Sequence, residues 1–124
     1  MKLSIIVPCY NEELSLLPFH TELSKVVQTL NSEVEIIFVN DGSKDSTLTV
    51  LTTLKEKDAS IHIVDFSRNF GKEAAMLAGL SESSGDLVVL MDADLQDPPS
   101  LLPEMIREIV EDDYDSVATY RVTR

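Results

Sequence analysis

Several features that would place a chain outside the cell or in a membrane are missing from this sequence. Cys9 is the single cysteine among 124 residues, so no internal disulfide can form and nothing indicates an oxidising compartment. The first apolar run, Leu3 to Val7, ends at Pro8 and is too short for a signal-peptide core. No later run approaches the roughly 18 apolar residues of a spanning helix. We therefore expect this chain by itself to be soluble and cytoplasmic.

Basic residues are also scarce. Ten Lys and Arg stand against 22 Asp and Glu, and the formal net charge of −12 argues against nonspecific binding to nucleic acid or to an anionic membrane surface. The segment from Glu82 to Asp115 is strongly acidic, with eleven acidic residues and one basic residue, Arg107. Such an excess of carboxylates could attract a metal cation. Neither G-x-G-x-x-G nor G-x-x-x-x-G-K-[ST] occurs, which argues against dinucleotide-binding and P-loop proteins.

The sequence does contain a regular alternation of short apolar runs with helical patterns. Strands are predicted at residues 3–7, 35–39, 61–66, 87–91 and 116–120, and helices within 13–30, 45–57, 72–85 and 99–113, the second of them capped by Asp45. The strands are rich in Val and Ile and mostly apolar on both faces, as expected of a parallel sheet covered on both sides. We expect one domain with a doubly wound α/β fold, in which helices lie on both faces of a mainly parallel sheet.

Polar and charged residues collect where the first four predicted strands end. In an open α/β sheet, ligands bind in the crevice beyond the carboxyl ends of the strands, so these positions predict the binding site. They are Pro8, Tyr10, Asn11 and Glu12 after the first strand, Asn40, Asp41 and Gly42 after the second, Ser67, Arg68, Asn69 and Lys72 after the third, and Asp92, Asp94, Gln96 and Asp97 after the fourth.

Asp92, Asp94 and Gln96 have the spacing of a metal site. Along an extended chain, side chains two residues apart point the same way, so these three can present oxygens to one side. Such oxygens suit Mg²⁺ or Mn²⁺, which take their remaining ligands from water and substrate phosphates. The implied substrate is a diphosphate. The alternatives are that Asp97 is only a helix cap and that the other acids belong to a solvated loop.

Three further side chains have two interpretations each. Asp41 follows a buried strand and precedes a glycine, so its carboxylate can accept hydrogen bonds from a ribose or base, or can close an Asx-turn. Arg68 and Lys72 lie at the start of a helix, where cations are disfavoured unless an anion sits among them. We expect them to contact a diphosphate, or else to pair with Glu73 or Asp65.

The chain resembles a known family in four segments. Family 2 glycosyltransferases of the GT-A fold have similar segments in this order and at these intervals: "SIIVPCYNEE", "IIFVNDGSKDST", "SRNFGKEAAMLAGL" and "GDLVVLMDADLQDPPSLLPEMI". The resemblance is closest to the branch that makes polyprenyl-phosphate sugars, which includes bactoprenol glucosyltransferases and dolichol-phosphate mannose synthases. "DADLQDPP" is the most specific piece, and "RNFGKEAA" favours this branch over the wider family.

The resemblance implies a role for each site residue. The implied nucleotide-sugar-binding residues are Pro8, Tyr10, Glu12, Asp41, Arg68, Lys72, Asp92 and Arg121. Among them, Asp41 would contact the base or ribose, and Asp92 would lie near the ribose and donor sugar. Asp94 and Gln96 would hold a Mg²⁺ or Mn²⁺ ion that bridges the diphosphate, and Asp92 and Asp94 would be the catalytic residues. Arg121 stands where the family has a G-x-R arginine facing the phosphates, although a threonine replaces the glycine in this chain.

The implied reaction is metal-dependent, inverting transfer of a sugar from a nucleoside-diphosphate sugar, with UDP-glucose favoured, to a polyprenyl phosphate. The alternatives are transfer to a saccharide acceptor in cell-envelope polysaccharide synthesis, donor binding without activity, and a phospho-receiver-like signalling domain. Domains of the family run beyond the fifth strand. We therefore expect residues 1–124 to be the N-terminal, donor-binding part of a longer membrane-associated protein with its catalytic domain on the cytoplasmic side. This part should be inactive alone, and uncovered apolar surface could make it a homo-oligomer.

Overall fold

The chain alternates strands with helices throughout its described length. The structure is a computed structural model that describes residues 1–94, 98–111 and 119–121, with side chains as far as residue 108. Its elements are β1 (Lys2–Cys9), α1 (Leu16–Thr29), β2 (Glu33–Asn40), α2 (Thr47–Lys57), β3 (Ile61–Asp65), α3 (Lys72–Glu82), β4 (Leu87–Leu90), a 3₁₀ turn (Pro99–Leu101), α4 (Leu102–Glu111) and β5 (Thr119–Arg121). The predicted order of strands and helices is confirmed, and positions 116–118 of the predicted fifth strand lie outside the described residues.

The strands form one parallel sheet in the order β3-β2-β1-β4-β5. β1 is central, since Ile5 pairs in register with Ile36 of β2 on one side and with Val89 of β4 on the other. The chain fills one half of the sheet with β2 and β3 and then crosses to the other half for β4. The connections on the two sides of β1 therefore diverge, which is the topological switch point where a doubly wound sheet opens a crevice.

Side chains of β2 alternate between two apolar layers. Ile36 and Phe38 face the larger core with α1 and α2, where Phe19 of α1 meets Phe38 edge to face at 6.4 Å between ring centroids. Ile37 and Val39 face the opposite layer, which contains Ala75 of α3. Helices therefore cover both faces of the sheet, as the apolar strands predicted.

α3 lies close against the middle of the sheet. A Cβ atom at Gly79 would come within 2.4 Å of Ile6 Cγ2, so the helix can reach β1 at this distance only because residue 79 has no side chain. The contact fixes the axis of α3 relative to β1. It thereby sets where the first residue of the helix, Lys72, meets the carboxyl edge of the sheet.

The first turns of α1 and α2 contain residues that suit the start of a helix. Pro18 falls in the first turn of α1, where a missing N–H donor costs nothing. α2 begins at Thr47 with Ser46 in the N-cap position, so the prediction of Asp45 as the cap residue is wrong by one position. Asp45 Oδ1 still accepts the Thr47 N–H at 2.9 Å and so satisfies one of the free donors of the first turn.

Candidate functional site

A cavity of about 310 Å³ opens at the carboxyl edge of the sheet. It is lined by Pro8, Cys9, Tyr10, Glu12, Asp41, Lys72, Asp92, Ala93 and Asp94. Seven of these nine residues are ones that the sequence predicted at the site, and they come from the ends of β1, β2 and β4 and from the first turn of α3. The fold thus brings together positions that are far apart along the chain.

Of the residues that were predicted to bind the nucleotide sugar or a metal, Arg68 is described but does not line the cavity, and two others cannot be placed. Arg68 precedes α3, and its guanidinium carbon lies 4.3 Å from the centroid of the Phe70 ring, in a cation–π arrangement. Gln96 lies outside the described residues, and so does the side chain of Arg121. The assignments of Gln96 and Arg121 therefore stay predictions.

The loop after β1 is fastened to the loop after β2. Asn11 has a φ of 54°, a left-handed conformation that asparagine tolerates better than most residues. Its N–H donates to Ser43 Oγ at 2.9 Å, and its Oδ1 accepts the N–H of Lys44 at 2.8 Å. The Glu12 N–H donates to Thr47 Oγ1 at 2.9 Å. These bonds fix the loop that brings the residues after β1 to the cavity.

Asp45 strengthens the same connection between loops. Its Oδ2 accepts the N–H of Glu13 at 3.3 Å, and its Oδ1 accepts the N–H and the hydroxyl of Thr47. Burial by itself would raise the pKa of the Asp45 carboxyl, but the hydrogen bonds from Thr47 and Glu13 hold it below its usual value. The carboxylate is therefore ionised at neutral pH. It stabilises the loops after β1 and β2 and does not line the cavity.

Asp41 is buried, with 3% of its surface exposed, and its carboxylate is held by the segment before α3. Oδ1 accepts the Phe70 N–H at 2.8 Å, and Oδ2 accepts the Gly71 N–H and the Asn69 side-chain amide, each at 3.1 Å. These partners are 28 to 30 residues away, so the carboxylate does not merely close its own turn. The sequence predicted Asn69 at a strand end but assigned it no role. Its hydrogen-bond partner, Asp41, is 28 residues away and comes close only in the folded chain.

Gly42 lets the loop after β2 touch the segment that begins α3. It has a φ of 67°, and a Cβ atom there would lie 2.2 Å from both the carbonyl carbon of Arg68 and the nitrogen of Asn69. Both the backbone conformation and the contact therefore require glycine. Asp41 and Gly42 together attach the end of β2 to the start of α3.

Lys72 forms an ion pair across the cavity with Asp92. Its Nζ lies 2.8 Å from Asp92 Oδ1, so the partner is neither Glu73 nor Asp65, the two that the sequence suggested. Among the described residues that line the cavity, Lys72 is the single cation, against the four carboxylates of Glu12, Asp41, Asp92 and Asp94. The cavity is therefore acidic overall and attracts cations, while its lysine offers one contact for an anion.

The oxygen donors at the cavity suit a divalent metal. Asp92 and Asp94 both line it, and carboxylate oxygens are ligands that Mg²⁺ and Mn²⁺ prefer. Within the described residues, no three His, Cys, Asp or Glu side chains form a group that could hold a metal by themselves.

Cys9 lines the cavity but is 1% exposed, and its Sγ lies 3.4 Å from the Val7 carbonyl oxygen. Burial raises the pKa of the Cys9 thiol well above its usual value, and the charge of Glu12 raises it further. A thiolate nucleophile is therefore disfavoured, and Cys9 packs as a small apolar residue.

Comparison with known proteins identifies the family. The family model for "Glycosyl transferase family 2" matches residues 4–124. A bactoprenol glucosyl transferase of Shigella phage SfV is 43% identical over 108 residues, which cover 87% of this chain and 35% of that protein. YkcC, an uncharacterized glycosyltransferase of Bacillus subtilis (strain 168), is 43% identical over 121 residues, which cover 98% of this chain and 37% of that protein.

Two solved structures are similar in fold. TarS 1-349 of S. aureus in complex with UDP-GlcNAc superposes with a TM-score of 0.67 at 26% identity, over 90% of this chain and 32% of that one. The mannosyltransferase PcManGT from Pyrobaculum calidifontis, in complex with GDP-Man and Mn²⁺, gives a TM-score of 0.68 at 24% identity, over 86% of this chain and 32% of that one. The GT-A fold implied by the sequence is confirmed.

The parallel sheet with helices on both faces is the architecture of a GT-A domain. The chain belongs to glycosyl transferase family 2. The phospho-receiver alternative is therefore wrong. The chain spans between 35% and 37% of the length of the two curated relatives described above. In the part of the chain that the structure describes, no helix is both long enough and apolar enough to cross a membrane.

Proposed function

We propose that this chain binds a nucleoside-diphosphate sugar in the cavity, and that the protein transfers the sugar to a polyprenyl phosphate. The observation that carries the proposal is the meeting of Lys72, Asp92 and Asp94 at the switch point of the sheet. The bactoprenol glucosyl transferase at 43% identity supports the acceptor class, and TarS with UDP-GlcNAc supports a uridine nucleotide. UDP-glucose is the donor we favour.

The nucleoside end of the donor lies against residues that follow β1 and β2. Tyr10 is 43% exposed, so its ring can stack on a base, with Pro8 and Glu12 beside it. A carboxylate offers about four acceptor positions. Asp41 uses three of them for the segment before α3, which leaves one for an N–H or O–H group of the nucleoside.

The diphosphate end lies against Lys72, whereas Arg68 lies over the Phe70 ring and does not line the cavity. We expect Arg121 to be a further cation near the diphosphate. Asp94 and Gln96 would hold the Mg²⁺ or Mn²⁺ ion, which, when bound, offsets the charge that develops on the departing diphosphate. Asp92 Oδ1 accepts from the Lys72 ammonium, so the donor phosphates would compete with Asp92 for the lysine.

The transfer is a single displacement with inversion at the anomeric carbon. An oxygen of the acceptor phosphate forms the new bond on one face while the bond to the nucleoside diphosphate breaks on the other. The leaving group departs with the electron pair, and Lys72 stabilises its charge electrostatically. Because a lipid phosphate is already an anion, the reaction needs no strong general base, which agrees with a cavity whose described lining contains no histidine.

Replacement of Asp94 by alanine tests metal-dependent donor binding. We expect Asp94→Ala to lose the Mn²⁺-dependent part of UDP affinity and to keep the fold, because the substitution removes one oxygen donor at an open cavity wall. Calorimetry of the 124-residue chain with UDP, with and without Mn²⁺, measures this directly. Glu104→Ala, which removes an exposed acid on α4, is the matched control. Equal Mn²⁺ dependence in Asp94→Ala and in the unchanged chain would contradict the assignment.

The acceptor is tested with the complete gene product in membranes. Radiolabelled UDP-glucose, UDP-GlcNAc and GDP-mannose are incubated separately with undecaprenyl phosphate, and the lipid phase is extracted. We expect label from UDP-glucose in the lipid. Label that appears only in polysaccharide would favour a saccharide acceptor instead, and label from GDP-mannose would change the donor assignment.

A further inference from the structure

We propose that Asp41 is a positioning residue for the donor diphosphate, because it holds the segment that places Lys72 in the cavity. The inference rests on the proposed nucleotide binding and adds to the single nucleoside contact assigned to Asp41 above. Two effects of one carboxylate are then expected: a direct one on the nucleoside and an indirect one on the phosphates.

The segment 69–71 depends on Asp41 for its conformation. Both carboxylate oxygens accept backbone N–H groups of this segment, and the Asn69 side-chain amide donates to the carbonyl oxygen of Asp41 as well as to Oδ2, at 3.1 Å in each case. The Asp41 N–H in turn donates to the Cys9 carbonyl oxygen at 2.8 Å, which anchors the residue to β1. The hydrogen bonds of Asp41 thus attach the segment to the central strand, beside the backbone contact that Gly42 makes with it.

Gly71 connects the segment held by Asp41 to the start of α3. It is the N-cap residue of α3 and has a φ of 103°, and glycine alone visits such values freely. A glycine at this position leaves the direction of the chain open unless its N–H is held, and the bond to Asp41 Oδ2 holds it. Lys72 is the next residue and begins α3.

Lys72 connects the segment held by Asp41 to the cavity. Its Nζ reaches Asp92 Oδ1 at 2.8 Å, so a connected path of contacts runs from Asp41 through residues 69–71 to the two groups that face the diphosphate. A shift of the Gly71 backbone by part of an ångström would move the lysine ammonium relative to Asp92. The nucleoside contacts offered by Pro8, Tyr10 and Glu12, which follow β1, would not move with it.

Asp41→Asn separates the two effects with little change in volume. The amide has one oxygen where the carboxylate has two, while donors from the 69–71 segment approach both positions. At the position of the second carboxylate oxygen, the amide N–H of the variant would face another N–H donor, which is repulsive. The segment should therefore lose part of its attachment even though the new side chain still fills the site.

The experiment measures binding of uridine, UMP and UDP to the 124-residue chain by calorimetry at fixed excess Mn²⁺. The affinity of UDP relative to UMP reports on groups that contact the second phosphate. We expect Asp41→Asn and Lys72→Met each to lower this ratio by about tenfold, within the range measured for residues that share one network. The double variant should be no worse than Lys72→Met alone, because Asp41 acts through Lys72.

Two results would overturn the inference. Asp41→Asn could weaken uridine, UMP and UDP by one common factor, which would leave only the nucleoside contact. The effects of Asp41→Asn and Lys72→Met on the ratio could multiply in the double variant, which would mean that the two residues act independently. Failure of the unchanged chain to bind any of the three would instead overturn the proposed function, and the inference with it.

A second variant covers the case in which Asp41→Asn does not fold, as judged by circular dichroism. Asn69→Ala removes the side-chain amide bonds to Asp41 and leaves the residues that line the cavity unchanged. We expect a smaller decrease of the UDP-to-UMP ratio with uridine affinity preserved. An unchanged ratio in a folded Asn69→Ala protein would count against the positioning role.

Discussion

Each end of β2 has a buried acid, and the two acids have different surroundings. Glu35 stands near the start of the strand with 6% of its surface exposed, and Asp41 follows its end with 3% exposed. Each carboxylate accepts at least three hydrogen bonds from segments that are distant in sequence. Of these two acids, Asp41 lines the cavity and Glu35 does not.

The bonds around Glu35 close the amino edge of the sheet. Ser4 Oγ, the Ser84 N–H and Ser84 Oγ donate to Oε2, and Ser4 Oγ accepts the Gly85 N–H at 2.8 Å. Lys2 Nζ lies 3.6 Å from Glu35 Oε1. The chain that enters β4 therefore packs directly over the start of β1.

At the carboxyl edge, by contrast, the loops diverge from β1 and leave a crevice. The comparison shows that burial and hydrogen bonding do not by themselves bring an acid to the cavity. The direction of the parallel strands and the switch point between β1 and β4 decide which buried acid lines it. Asp41 is at the end where the sheet opens, whereas Glu35 is at the end where it closes.

The largest effect on folding should come from Gly42→Ala at the open edge. The new Cβ would overlap the Arg68 backbone at a φ of 67°, so we expect a loss of about 3 kcal/mol in the free energy of unfolding, from strain and overpacking together. Urea denaturation measures it. Gly71→Ala is the matched control, because its φ is also positive but no atom lies within 4 Å of the new Cβ. A loss in Gly42→Ala of no more than about 1–2 kcal/mol, which the positive φ accounts for by itself, would contradict the close contact.

Glu35→Ala should affect stability alone. It leaves the Ser4 and Ser84 donors without their acceptor, so we expect a loss of about 1–3 kcal/mol in the free energy of unfolding. UDP affinity of the folded protein should not change. Glu33→Ala, which removes only an exposed pair with Lys2 at 3.4 Å, is the control and should cost less than about 1 kcal/mol. A change in UDP affinity in Glu35→Ala would show that the two edges are coupled.

The smallest effect concerns the pH dependence of stability. Burial by itself would raise the pKa of the Glu35 carboxyl, but the hydrogen bonds from Ser4 and Ser84 and the charge of Lys2 lower it below its usual value. A lowered folded-state pKa contributes stability that is present above the unfolded value of about 4.3 and is lost as the pH falls through the folded value. Unfolding in urea across this acid range should therefore show a shallower pH dependence for Glu35→Gln than for the unchanged chain. Parallel curves would exclude Glu35 as a contributor.

Much of the site could be predicted from the sequence because parallel strands end at one edge. Asp92 and Asp94 follow a buried apolar run, and Tyr10, Glu12 and Asp41 follow two others, so their meeting requires only that the strands be parallel neighbours. The partners within the site could not be predicted in the same way. Arg68 and Lys72 looked equivalent in the sequence, yet Lys72 faces Asp92 and Arg68 lies over the Phe70 ring.

The sequence by itself determined the order of strands and helices, the two apolar faces of the sheet and the edge at which charged residues gather. These follow from hydrophobic periodicity, which is a local property of the chain. Only the tertiary structure decided that Asp41 holds residues 69–71, that Lys72 pairs with Asp92 and that Glu35 closes the opposite edge. Each of these contacts joins residues that are 20 to 49 positions apart in the chain, and their distance depends on strand order and helix docking rather than on any local pattern.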